Sequence, residues 1–179
     1  MQERTVPDIK KISPESIPRA ISKAQRYRLL NEPRESESIC RDILAVDKSN
    51  QEAAVILLLA ITDQFPKMTV RIDQANEALE LLGGDFERAY YGGVIAERWG
   101  KAMHEAGYAG ADVYELFSRA MSLYEQAQTL APPGNEDAVL RWNTCVRTID
   151  RFGLHSSAKV ADADLEMEAF EDEVPFRER

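Results

Sequence analysis

Histidine and cysteine each occur only twice in the 179 residues, and the cysteines, Cys40 and Cys145, stand alone in the chain. A zinc knuckle or a redox pair needs such residues closely spaced, so the sequence predicts no metal site and two buried thiols on helices. Long apolar runs are also missing. The longest, Ala53 to Ile61, has nine residues, against the roughly 20 a membrane span needs. The start, MQERTVPDIK, has no signal-peptide hydrophobic region. Positive charge is scarce as well: 22 Lys and Arg against 31 Asp and Glu give a net −9. That balance opposes nonspecific attraction to nucleic acid or an anionic bilayer. The sequence therefore predicts a cytoplasmic protein with no nucleic-acid or membrane partner.

What is present is an ordinary globular balance, 44% hydrophobic and 30% charged, which supports one folded unit rather than global disorder. Pro7, Pro14 and Pro18 interrupt the beginning, so residues 1–17 read as a basic arm. Helical spacing of three and four then begins. Ala20, Ala24, Tyr27 and Leu29/Leu30 share a face until Asn31-Glu32-Pro33, and Ser36, Ile39, Cys40, Ile43 and Leu44 mark a second helix. Ser49 and Glu52 have the spacing of a capping box for a third, Gln51 to Gln64, which is apolar nearly all round and so is expected at the centre. Ile72, Ala75, Leu79 and Leu82 mark a fourth helix that Gly83-Gly84 stops. Asp85 is placed to cap a fifth, about 86 to 105, whose Gly92, Gly93 and Gly100 demand close packing or a kink. Asp112 and Glu115 signal the next start, Pro132-Pro133-Gly134 its end, and a last helix runs from about 136 to 152. Residues 153–179 carry eight acids and three bases from Leu154 onward and read as a mobile acidic tail.

The pattern repeats. Ala120, Tyr124, Ala127 and Pro132 are spaced four, three and five apart, as are Ser36, Cys40, Ile43 and Lys48, and Ala75, Leu79 and Leu82 repeat the first part. Upstream, Ala24/Tyr27, Leu58/Ile61 and Gly100/Met103 stand three apart. This resembles the tetratricopeptide repeat, in which a small residue lets two helices touch, a large one fills the gap and a proline ends the pair. The resemblance covers residues 18–152, with longer inter-helix loops in the later units and Lys48 and Leu58 departing from the pattern. It implies an all-α, right-handed superhelix of about three antiparallel helix pairs plus a C-terminal capping helix. It further implies a non-catalytic adaptor, chaperone-like protein or assembly factor that binds another protein or peptide in a concave groove. By the matched positions, Gln25, Arg28, Leu59, Thr62, Asp63, Lys101, His104 and Glu105 would face that groove. Such side chains on a helix face are also what ordinary solvation produces.

Catalytic signals are weak by comparison. Asp73, Glu77 and Glu80 share a helix face but read as solvated, the paired glycines lack the lysine and hydroxyl of a phosphate loop, and no Gly-x-Ser-x-Gly occurs. No catalytic residue, cofactor or metal is expected. The alternative reading is a helical small-ligand sensor or enzyme with a pocket near Trp99 and His104, which would need clustered polar groups there.

Overall fold

The computed structural model describes residues 7–67 and 69–156, and among these the regular structure is entirely helical. Seven α-helices run in order: α1 (Ile17–Leu29), α2 (Pro33–Val46), α3 (Gln51–Thr62), α4 (Ile72–Leu79), α5 (Asp85–Glu105), α6 (Gly110–Leu130) and α7 (Asp137–Phe152). Each packs against the next in sequence, and α3 also touches α1 and α5. The result is a multi-helix domain with sequential helix packing. No helix among the described residues is long and apolar enough to cross a membrane.

The apolar spacing explains the burial. In α3 all but four of twelve residues are buried, from Ala53 to Thr62, and this helix carries the first core with Ala24, Cys40, Ala75 and Leu82 around it. A second core lies between α5, α6 and α7 and is built on Val94, Phe117, Ala120, Tyr124 and Ala127. Leu59 and Tyr91 pack against both. Two buried glycines of α5 meet α6 directly. A Cβ at Gly93 would come within 2.6 Å of Tyr124 Cε1, and one at Gly100 within 3.2 Å of Phe117 Cε2. The glycines are therefore packing positions that let the two longest helices touch.

Helix ends show a regularity that the sequence pattern did not. α1 closes on Asn31 (φ 60°), α5 on Gly107 (φ 80°) and α7 on Gly153 (φ 61°). In each, the amide of the left-handed residue and that of its successor reach back to carbonyls of the last turn: Arg28 and Tyr27, His104 and Met103, Asp150 and Ile149. This closure satisfies carbonyls that a helix end otherwise leaves free. α3 differs, ending with Asp63 still in helical geometry and running into a 3-10 turn, Phe65–Lys67.

Three expected caps are corrected. The cap of α3 is Asn50, whose side chain accepts from the Ala53 amide, while the Ser49 hydroxyl donates to Asp47. Asp85 and Asp112 lie inside the first turns of α5 and α6, after Gly84 and Ala109, and neither helix has a side-chain cap. Both carboxylates still favour the helix N-terminus through the dipole. The expected acidic tail begins with Leu154, which is buried in the second core; residues 157–179, and with them the expected mobility, lie outside the described residues.

Candidate functional site

Residues from α1, α3 and α5 converge on a cleft of about 360 Å³. Its wall includes Arg28 and Asn31 from the end of α1, Thr62 and Asp63 from the end of α3, and Arg98, Lys101 and Glu105 from the last turns of α5. Asp63 is its hub. One carboxylate oxygen accepts from Arg28 Nε at 2.7 Å and the other from Arg98 Nη1 at 2.5 Å. The same Arg98 nitrogen donates to the Thr62 hydroxyl at 2.7 Å. One acid thus ties together three helices that are separated by at least 35 residues in sequence.

A second hub lies deeper. Glu97 is fully buried and accepts from the Tyr124 hydroxyl at 2.8 Å, from Lys101 at 2.5 Å and from Arg141 at 3.3 and 3.4 Å. A buried carboxylate persists only when charged and hydrogen-bonding partners surround it, and here they come from α5, α6 and α7. Burial, the nearby Glu97 charge and the bond to Glu97 all push the Tyr124 phenol well above the usual range. Arg28 and Arg98 thus pair with Asp63, and Lys101 and Arg141 with Glu97.

The Thr62 hydroxyl donates to the Leu59 carbonyl at 3.0 Å and accepts from Arg98. Arg28 spends its Nε on Asp63, leaving its two terminal nitrogens for other acceptors. The cleft wall holds three bases, Arg28, Arg98 and Lys101, against two acids, Asp63 and Glu105, on a chain of net charge −9.

Of the eight residues expected at a groove, the cleft unites Arg28, Thr62, Asp63, Lys101 and Glu105. The other three lie elsewhere. Gln25 donates to Glu52 at 2.9 Å, Leu59 is wedged half-buried between the two cores, and His104 stacks on Phe152 with centroids 3.8 Å apart. Trp99 meets Phe65 edge-on at 5.0 Å, so Trp99 and His104 each pack against a different aromatic ring. Arg98 and Glu97 were missed by sequence reasoning. The signal for Arg98 was available: it precedes Lys101 by three and Glu105 by seven, one face of a helix. Glu97 offered none, because a lone glutamate on a helix reads as solvated.

Among the described residues no group of three or more His, Cys, Asp or Glu side chains is placed to hold a metal ion. Both cysteines are buried free thiols, and burial raises each to about 12. Fold and cleft define an all-helical domain of sequentially packed helices, as in helical-repeat proteins generally. No family model, curated protein or solved structure matches the chain.

Proposed function

We propose that this chain is a non-catalytic interaction module of the tetratricopeptide-like kind, a right-handed superhelix of about three antiparallel helix pairs with α7 closing the array. It works in the cytoplasm as an adaptor or assembly factor. Its ligand is a peptide or partner segment bearing carboxylates, held in the cleft between α1, α3 and α5. One observation carries the reading: side chains from the first helix of each of the three pairs, Arg28, Asp63 and Lys101, line one cleft. First helices of successive units sharing one surface are what a stacked array uses to read an extended ligand. The recognition chemistry follows from the donors. Arg28 and Arg98 each keep guanidinium nitrogens beyond those bound to Asp63, and guanidinium groups suit carboxylates through paired N–H donors.

Fluorescence anisotropy tests it with three labelled peptides of equal length, acidic, neutral and basic. The acidic one should bind, and the double variant Arg28→Gln, Lys101→Gln should weaken it at least about tenfold, since charge-assisted hydrogen bonds contribute about 1.5–3 kcal/mol each. Equal binding of all three peptides, or no binding by a protein whose circular dichroism is intact, refutes the proposal.

A further inference from the structure

Helices packed in sequence leave two ends to be covered, and such an array stays soluble when its end faces are polar. Here both ends show apolar side chains. At one of them Leu29 and Leu30, at the close of α1, are 89% and 59% exposed. They extend a basic face. Arg19, Lys23, Arg26 and Leu30 stand at i, i+4, i+7 and i+11, one stripe of the helix, and all four are exposed. Among the described residues none of these three bases joins an ion pair.

At the other end α7 packs chiefly on α6, and the two helices leave between them a groove of about 570 Å³. Tyr114 and Met121 of α6 and Val146 and Ile149 of α7 give it apolar walls. Its carboxylates, Glu125 and Asp150, are exposed, and no Lys or Arg is among the described residues that line it. Glu125 spends one oxygen on the Trp142 indole at 3.1 Å, and Asp150 joins no ion pair among the described residues.

We propose that copies of this chain associate head to tail, α1 of one copy lying in the groove between α6 and α7 of the next. An apolar groove between two helices is the usual seat of a third, which lays its exposed apolar residues on the walls; Leu29 and Leu30 supply them. Charge selects the occupant. The groove's carboxylates favour a basic helix, and α1 is the only one of the seven described helices that holds no acid. In a chain of net charge −9, copies meeting by other faces repel one another, so the pairing of these two ends also sets the orientation. The contact is heterologous, so it extends copy by copy or closes into a ring. It shares no residue with the cleft between α1, α3 and α5, so the two readings fail separately.

Sedimentation velocity of the full chain tests it between about 5 and about 200 µM, the range in which small interfaces associate. The average mass should rise with concentration, and about 0.5 M salt should lower it. Arg19→Glu, Lys23→Glu, Arg26→Glu in one variant, and Glu125→Lys, Asp150→Lys in another, should each weaken association at least about tenfold while the circular dichroism melt stays near wild type. A control with the same change of net charge elsewhere, Arg34→Glu, Lys48→Glu, Arg119→Glu, should weaken it much less. Mixing the first two variants pairs each reversed face with its reversed complement and should restore association that neither shows alone. A mass that stays at one chain throughout overturns the proposal, whatever else fills the groove. So does association that survives either reversal, a loss as large in the control, or a mixture that stays dissociated.

Discussion

Replacing Gly93 by alanine adds a methyl group where the Tyr124 ring already is: the new Cβ would lie 2.6, 2.8 and 2.9 Å from three ring carbons. The ring has no room to retreat, because Tyr124 is fully buried and its hydroxyl is held by Glu97 at 2.8 Å. Overpacking of this kind costs about 1–3 kcal/mol. Alanine in a helix interior returns about 1 kcal/mol over glycine, so the expected net loss is up to about 2 kcal/mol, toward the upper end because all three contacts are below 3.0 Å. At about 2–4 °C per kcal/mol for a chain of this size, the melting midpoint should fall by several degrees. The neighbouring glycine supplies the control. A Cβ at Gly92 would meet Leu123 at 3.5 Å and Leu79 at 3.6 Å, ordinary contact, so Gly92→Ala should be neutral or stabilising by up to about 1 kcal/mol. Thermal and urea melts followed by circular dichroism read both. Equal midpoints for the two variants would refute the argument that α5 and α6 touch through Gly93. A Gly93→Ala, Tyr124→Leu double variant less stable than the sum of its singles would refute it too.

Glu97→Ala leaves Arg141, Lys101 and the Tyr124 hydroxyl without their shared acceptor and should cost about 3–5 kcal/mol, whereas Tyr124→Phe should cost about 1–3 kcal/mol; denaturant midpoints check the order. Ala120→Leu, at a fully buried position of the second core, should lower stability by about 1–3 kcal/mol, and an unchanged urea midpoint would mean the repeat register is misdrawn. Gly153→Ala forces a left-handed residue at the end of α7 and should cost about 1–2 kcal/mol, most of it recovered by Gly153→Asn, the residue type that closes α1. Burial raises the Cys40 thiol from 9.0 to about 12: between these values the folded chain keeps a proton that the unfolded chain loses. That contribution is complete below pH 9 and declines above it by about 1.4 kcal/mol per pH unit, and Cys145, raised to the same value, adds an equal share. Cys40→Ala should roughly halve the slope these two thiols give in a pH series of melts.

The seven helices were legible because their apolar residues recur every three or four positions and proline or glycine separates the runs. Central α3 was legible from its uniform apolarity. Caps were not, because Ser49 and Asn50 are adjacent acceptors and only the turn decides between them; Asp47 claims Ser49 and leaves Asn50 for the helix. Groove positions carried over by spacing reached the cleft where they lay at the last turns of α1, α3 and α5. Spacing misplaced His104 and Leu59 because it does not show that α7 and the second core claim those faces. Glu97 was invisible because its partners come from three helices, and no local pattern distinguishes an acid that will be surrounded from one left in water.

The two carboxylate hubs differ in how tightly they hold. Asp63 and its arginines keep roughly a quarter of their side-chain surface in water, whereas Glu97 keeps none. In a stacked array each unit normally answers only to its neighbours, and ends open independently. A submerged charge shared by α5, α6 and α7 removes that independence: no one of the three can detach without stranding ions in a nonpolar interior. These helices therefore form a rigid anvil. α1 and α3 join it through the first core, where Ile95 and Ala102 of α5 are buried beside Leu58 and Ile61, and through the part-hydrated Asp63 pairs, so parting the cleft's walls exposes apolar surface as well as breaking ion pairs.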